Sequence, residues 1–171
     1  GAKVHRLPRG VTPNTYADEL VAKLRDQGKK PFVMPLGGSS PRGSLGYAAC
    51  AAEILHQADA LGLQFDQIIV PNGSAGTHSG LLAGVTLAGS ATQILGYSVL
   101  ADEDQAQTTT QEKTRQTVHL LNPEATLSES AINVDGSQRG EAYGAPTEAM
   151  LEAVRLLASQ EGLLIDPVYG G

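Results

Sequence analysis

The most informative part of the chain reads Ile68-Ile69-Val70-Pro71-Asn72-Gly73-Ser74-Ala75-Gly76-Thr77-His78-Ser79-Gly80. A short β-branched run stops at a Pro-Asn-Gly break, a loop of small residues follows, and residues 81–88 continue at helical spacing. This order predicts a strand, a glycine-rich turn and a helix N-terminus. Such a turn gathers backbone N–H groups, and the helix dipole adds partial positive charge. The pattern therefore indicates a phosphate site, although an ordinary turn that uses glycine for positive φ is an equal alternative.

Three other glycine-loop motifs fit this stretch less well. A Walker loop ends in Gly-Lys-Ser/Thr, and this loop contains no lysine. The dinucleotide fingerprint Gly-x-Gly-x-x-Gly has a different glycine spacing. The hydrolase nucleophile elbow Gly-x-Ser-x-Gly lacks its first glycine, because Asn72 stands there. A serine hydrolase that uses Ser74 and His78 stays open as a weaker alternative.

Composition bounds the class of protein. The chain has 171 residues, is 41% hydrophobic and carries a net charge of −6, so we expect one globular domain over residues 1–171 and no nonspecific binding of nucleic acid. No apolar run approaches the roughly 20 residues of a membrane span, and no secretory leader is visible. Cys50 is the single cysteine, and the four histidines are far apart, so we expect no disulfide and no metal site. These features indicate a cytoplasmic protein without a membrane partner.

The apolar periodicity alternates between strand-like and helix-like segments. Continuous apolar strands between helices predict an α/β fold, a three-layer parallel sheet with helices on both faces. Ligands bind such sheets at the carboxyl ends of the strands, so the loops after Leu36, Val70 and Asp166 should line one edge, with the loop around Tyr143 folding over it. The acidic residues 102–104 are expected in a solvated loop. Strands are predicted at residues 3–7, 31–36, 67–70, 93–99, 131–134 and 163–166, and helices at 12–27, 45–61, 81–88, 108–121 and 147–161.

Four sequence blocks occur in the order found in one enzyme family. They are Pro-Leu-Gly-Gly-Ser-Ser with Gly-x-x-Gly-Tyr (residues 35–47), the glycine loop, Ala-Tyr-Gly-Ala-Pro (142–146) and Glu-Gly-Leu-Leu-Ile-Asp-Pro-Val-Tyr (161–169). The chain resembles the pyridoxal-phosphate enzymes of the D-cysteine desulfhydrase and 1-aminocyclopropane-1-carboxylate deaminase type, which include L-cysteate sulfo-lyase. The resemblance implies the large domain of the tryptophan-synthase-β-like fold.

The resemblance also implies a cofactor and a set of site residues. Pyridoxal 5′-phosphate would serve a lyase or deaminase acting on a small amino acid, releasing ammonia and a keto acid, with sulfide or sulfite from sulfur substrates. Tyr143 and Tyr169 match two tyrosines that face cofactor and substrate, and a phenol can both donate and accept a proton. A neighbouring amine would lower the pKa of such a phenol. The cofactor phosphate would be held by Gly73, Ser74, Ala75, Gly76 and Thr77.

The chain departs from the family pattern in three respects. The family binds the cofactor aldehyde as a Schiff base to a lysine in an Asn-Lys block, and none of Lys3, Lys23, Lys29, Lys30 and Lys113 lies in such a block. The Ser-Asn-His block for the substrate carboxylate is missing too, and Gly170-Gly171 follow Tyr169 where the family has a residue that contacts the pyridine nitrogen. The sequence therefore predicts a partial large domain without the small domain, with little or no turnover by itself.

An alternative function from a different class stays open. A non-catalytic module would retain the Gly73–Gly80 loop and use it to bind a phosphorylated small molecule or a partner protein. Family members are typically homodimers, and the edges of a partial sheet favour self-association, so we expect a homodimer or another self-associated state.

Overall fold

The computed structural model describes residues 1–171, and its contacts separate the chain into two compact units, Gly1–Pro35 and Leu36–Gly171. The sequence predicts one domain over residues 1–171, and that statement stays a prediction. The smaller unit contains one helix, α1 (Pro13–Asp26), as predicted. The Thr12 hydroxyl caps it by accepting from the Thr15 N–H. Gly28 follows with φ +74, a conformation that glycine adopts without strain.

Three predicted strands are wrong: residues 3–7, 31–36 and 163–166 form no strand. A strand needs a neighbour to take its backbone hydrogen bonds, and none of these runs pairs with another strand. Their apolar side chains also stay in solvent, with Phe32 86% and Leu164 91% exposed. In these three segments, a short apolar run was not sufficient evidence for a buried strand.

The larger unit follows the predicted alternation of helices and strands. Short 3₁₀ turns lie at Leu36–Gly38 and Glu129–Ala131. The regular elements are α2 (Pro41–Ala60), β1 (Gln67–Asn72), α3 (Gly76–Leu87), β2 (Gln93–Ser98), α4 (Glu103–Leu121), β3 (Asn133–Asp135) and α5 (Glu148–Gln160).

The sheet is parallel throughout, in the order β1-β2-β3. Helices α3 and α4 are the two crossovers, which pack against each other and against the sheet, and α2 packs on both of them. On the opposite face Ile69 and Tyr97 line a cavity whose far wall includes Met150 of α5. The predicted α/β class with a parallel sheet is confirmed.

Small residues bring α2 and α3 into close contact. A Cβ added at Gly84 would lie 2.5 Å from the Ala51 Cβ, and one at Gly80 would lie 2.5 Å from the Tyr47 Cβ. Real side chains do not approach so closely, so both positions need glycine. The α3 residues Leu82 and Val85 then join Val70 and Ile94 of the sheet in the core, which orders the loop that precedes α3.

Three helices begin earlier than the periodicity predicted. Helix α3 begins at Gly76 instead of residue 81. Helix α2 begins at Pro41, with the Ser40 hydroxyl accepting from the Gly43 N–H. Helix α4 begins at Glu103, with the Asp102 carboxylate accepting from the Gln105 N–H. The acidic residues 102–104 are thus a helix cap and first turn, where negative charge is favoured, and their assignment to a loop was wrong. No helix has the length and apolar character that crossing a membrane requires.

Candidate functional site

Three loops of the larger unit meet at the carboxyl end of β1. The Ser39 hydroxyl donates to the Ser74 carbonyl over 2.5 Å, which joins the loop after Leu36 to the glycine loop. The Tyr169 ring comes so near the glycine loop that a Cβ at Gly73 would lie 3.2 Å from its Cε1. The loops after Leu36, Val70 and Asp166 therefore lie together at one edge of the sheet.

The glycine loop ends in a helix that has no cap. Ala75, the residue before α3, has φ +64 and makes no side-chain capping bond. The first helical bond runs from the Ser79 N–H to the Ala75 carbonyl, so the N–H groups of Gly76, Thr77 and His78 have no backbone acceptor. The hydroxyls of Ser74 and Thr77 make no hydrogen bond within the protein either. The loop thus offers several converging donors to an anion.

Backbone strain accompanies these free donors. A non-glycine residue in the left-handed region costs about 1–2 kcal/mol, and Ala75 is the one such residue in the chain. Next to it, a Cβ at Gly76 would lie 3.0 Å from the Ser39 hydroxyl oxygen. Close packing of the two loops therefore holds the strained turn in place, as is common at ligand-binding sites.

Two tyrosines from distant parts of the chain form a pair beside the loop. The Tyr143 and Tyr169 hydroxyls are 2.8 Å apart, and their rings meet edge to face. The Asp166 carboxylate accepts the N–H groups of Val168 and Tyr169 and so fixes the turn that carries Tyr169. These bonds, with Tyr169 first, lower the pKa of Asp166. Asp166 is thus a structural residue of the site.

The hydrogen bond that Tyr169 shares with Tyr143, together with burial, raises the pKa of Tyr169. The expectation of a phenol pKa lowered by an adjacent amine does not hold in this structure, since the hydrogen-bonded neighbour of Tyr169 is another phenol. The Tyr169 hydroxyl therefore keeps its proton at neutral pH and shares a hydrogen bond with Tyr143.

A buried polar group lies beneath the loop. The Asn72 amide contacts the Nδ1 atom of His78 at 3.0 Å and donates to the Thr110 hydroxyl at 2.8 Å. His78 is fully buried, and burial lowers its pKa to about 4, so its ring is neutral at pH 7. The serine hydrolase alternative placed His78 in the loop as a partner of Ser74, and the structure instead buries its ring beneath the loop.

The same placement removes the serine hydrolase alternative. A nucleophilic serine needs its base within hydrogen-bond reach. His78 turns instead into the interior toward Asn72, and no hydrogen bond joins it to Ser74. The two side chains are neighbours in sequence but do not form a catalytic pair.

Sequence reasoning missed Lys113, the one lysine of the larger unit. From α4 its ammonium donates to the Ser74 carbonyl at 2.7 Å, to the Ser39 carbonyl at 3.2 Å and to the Ser39 hydroxyl. Burial lowers its pKa. The one available signal was that three of the five buried residues of α4 are threonines, Thr110, Thr114 and Thr117, beside Ala106 and Val118.

The family model for pyridoxal-phosphate dependent enzymes matches residues 1–171. The chain belongs to this family. The match covers both units and the glycine loop, and it agrees with the resemblance carried by the four sequence blocks.

Relatives of this family member include two curated enzymes and one solved structure. It is 35% identical over 163 residues to the probable 1-aminocyclopropane-1-carboxylate deaminase of Schizosaccharomyces pombe, covering 95% of this chain and 48% of the relative. It is 37% identical over 161 residues to the D-cysteine desulfhydrase of Serratia proteamaculans, covering 93% and 47%. A crystal structure of an ACC deaminase homologue matches with a TM-score of 0.78 and 30% identity, covering 91% of this chain and 46% of that one. The chain spans about half the length of the curated relatives it matches.

The family's cofactor is pyridoxal phosphate, and the glycine loop fits its phosphate group. The uncapped N-terminus of α3 supplies free N–H groups, and Ser74 and Thr77 supply free hydroxyls. Glycines at 73 and 76 keep side chains out of the positions that Tyr169 and Ser39 border. A phosphate dianion would complete the hydrogen bonds that the loop leaves open.

A cavity of about 460 Å³ adjoins this loop. Tyr169 and Pro71 line it, and Arg139 and Met150 lie on the walls that the 138–147 loop and α5 contribute. No residue of the 73–80 loop lies on its wall. A volume of this size is typical of small-molecule sites. The space that a small ligand can occupy therefore lies beside Tyr169, the residue that borders Gly73.

Proposed function

We propose that this chain is the cofactor-phosphate-binding portion of a pyridoxal-phosphate dependent lyase or deaminase that acts on a small amino acid. The uncapped N-terminus of α3, facing Tyr169 across Gly73, is the observation that carries the proposal. The names of the relatives favour D-cysteine or 1-aminocyclopropane-1-carboxylate as substrates, and L-cysteate belongs to the same chemical class.

In this proposal the chain binds and orients, and the cofactor supplies the electron sink for the reaction. The N–H groups of residues 73–77, with the Ser74 and Thr77 hydroxyls, hold the phosphate. Tyr143 and Tyr169 act at the rim, where their two hydroxyls share a hydrogen bond. Since the pKa of Tyr169 is raised, its hydroxyl acts as a proton donor rather than as a base at neutral pH.

We expect the chain to show little turnover by itself. Aldehyde binding needs a free lysine amine, and all three donors of the Lys113 ammonium are engaged by Ser39 and Ser74. Release of ammonia or keto acid from D-cysteine, L-cysteate or 1-aminocyclopropane-1-carboxylate, with pyridoxal phosphate added, measures this directly. Rates at the level of the protein-free cofactor are expected, and robust turnover would contradict this part of the proposal. Homodimer formation and a cytoplasmic location stay predictions from the sequence.

The phosphate site is tested by calorimetric titration with inorganic phosphate and with pyridoxal phosphate. Gly76→Asp places a carboxylate among the free N–H groups, and we expect it to abolish binding of both ligands. Gly46→Asp is the matched control, because a Cβ at Gly46 meets nothing within 4 Å. Unchanged affinity in Gly76→Asp would refute the site.

A further inference from the structure

We propose that Lys113 is a positioning residue of the phosphate site: its ammonium fixes the Ser74 peptide and supplies a positive charge for a phosphate monoester dianion. The inference rests on the proposed function. It is carried by the contacts of one ammonium group with two loops that lie 74 and 39 residues away in the chain.

The three donors of the Lys113 ammonium have three acceptors in the structure. They are the Ser39 carbonyl, the Ser39 hydroxyl and the Ser74 carbonyl. All are neutral oxygen atoms, so no carboxylate neutralises the ammonium through a hydrogen bond. The side chain is only partly exposed, and its charge is therefore incompletely hydrated. An anion bound at the glycine loop would compensate that charge.

The contact with Ser74 also orients the loop. A trans peptide is planar, with its C=O and N–H pointing in opposite directions. The Ser74 carbonyl receives both the Lys113 ammonium and the Ser39 hydroxyl, so the N–H of Ala75 points away from them. These two bonds act on the residue that has φ +64 and stabilise the strained turn from which α3 begins. Lys113 thereby helps keep the loop ready for its ligand.

The test compares the phosphate affinity of three variants by calorimetry over a range of chloride concentrations. Lys113→Met keeps most of the side-chain volume but removes the charge and the donors. Lys113→Arg keeps both. Arg115→Met removes one positive charge from an exposed position on the same helix, away from the loop contacts.

We expect Lys113→Met to weaken phosphate binding by about tenfold or more, since a charged hydrogen-bond donor is lost. The salt dependence of binding should become shallower in this variant, because one charge no longer attracts the ligand. Lys113→Arg should keep affinity within about threefold of the unsubstituted chain, and Arg115→Met should leave it unchanged.

Two results would overturn the inference. The first is a Lys113→Met variant that binds phosphate as tightly as the unsubstituted chain while Gly76→Asp does not bind. The site then stands, and Lys113 has no part in it. Equal losses in Lys113→Met and Lys113→Arg would mean that the side chain acts only through packing. If Lys113→Met fails to fold, Lys113→Gln takes its place: it also removes the charge, and we expect the same weaker and less salt-dependent phosphate binding, whereas unchanged affinity would overturn the inference. Absence of phosphate binding by the unsubstituted chain would refute the proposed function together with this inference.

Discussion

Gly96 gives the sharpest test of the packing beneath the loop. A Cβ at this position of β2 would lie 2.8 Å from the His78 Cε1, nearer still to its Nδ1, and 3.2 Å from the Asn72 Cβ. Gly96→Ala therefore forces the buried imidazole to move. Overpacking of this kind costs about 1–3 kcal/mol, and a broken Asn72–His78 contact leaves buried polar groups unsatisfied at about 1–3 kcal/mol. Alanine also lowers the conformational entropy of the unfolded chain, and this stabilises the folded state by about 0.5 kcal/mol.

The expected net loss is about 2–5 kcal/mol in the free energy of unfolding, measured by urea denaturation. With a slope of about 2 kcal/mol per molar urea, the midpoint falls by about 1 M or more. Gly46→Ala is the control, since its Cβ meets nothing within 4 Å, and it should be neutral or stabilising. In a His78→Ala background the imidazole atoms are gone, so Gly96→Ala should cost less than about 1 kcal/mol. A loss below about 0.5 kcal/mol in the unsubstituted background would refute this account of the packing.

Three further predictions follow from hydrogen bonding and ionisation. Because the pKa of His78 is lowered to about 4 in the folded chain, the folded chain binds this proton less readily than the unfolded chain does. The free energy of unfolding, measured by urea denaturation, should therefore fall by about 3 kcal/mol as the pH drops from 6.5 to 4. The His78→Gln variant should lack this pH dependence. Tyr143→Phe should return the pKa of Tyr169 toward its ordinary value, read from tyrosinate absorbance in a pH titration, and an unchanged value would show that the phenol pair does not set it. Thr147→Ala removes the hydroxyl that caps α5 and should cost about 1 kcal/mol in thermal unfolding, whereas no loss would mean that the cap is dispensable.

The sequence predicted the parallel α/β fold because each crossover carries local signals. The Thr12 and Thr147 caps and the glycines after helices mark helix ends without reference to the rest of the chain. The glycine loop was predictable for the same reason, since β1, the turn and α3 are consecutive. The false strands at 3–7, 31–36 and 163–166 lacked what no local pattern shows, a neighbour that takes their hydrogen bonds.

The site itself was predictable only in part. The four sequence blocks pointed to Tyr143 and Tyr169, and the structure places their hydroxyls in contact. Lys113 was missed because its partners lie in two other loops, so its contacts exist only after folding. His78 was misplaced because a histidine at a loop-to-helix junction gives no local sign of whether its ring turns outward or inward. Burial of that ring depends on the absence of a side chain at Gly96.

The most direct test of the central claim is a titration of the purified chain with pyridoxal phosphate, read by visible absorbance before and after borohydride reduction and then by intact mass. We predict saturable binding that inorganic phosphate displaces, that Gly76→Asp removes, and that leaves no adduct on a single lysine after reduction. Absence of saturable binding, or binding that phosphate does not displace, would contradict the claim that the glycine loop holds the cofactor phosphate.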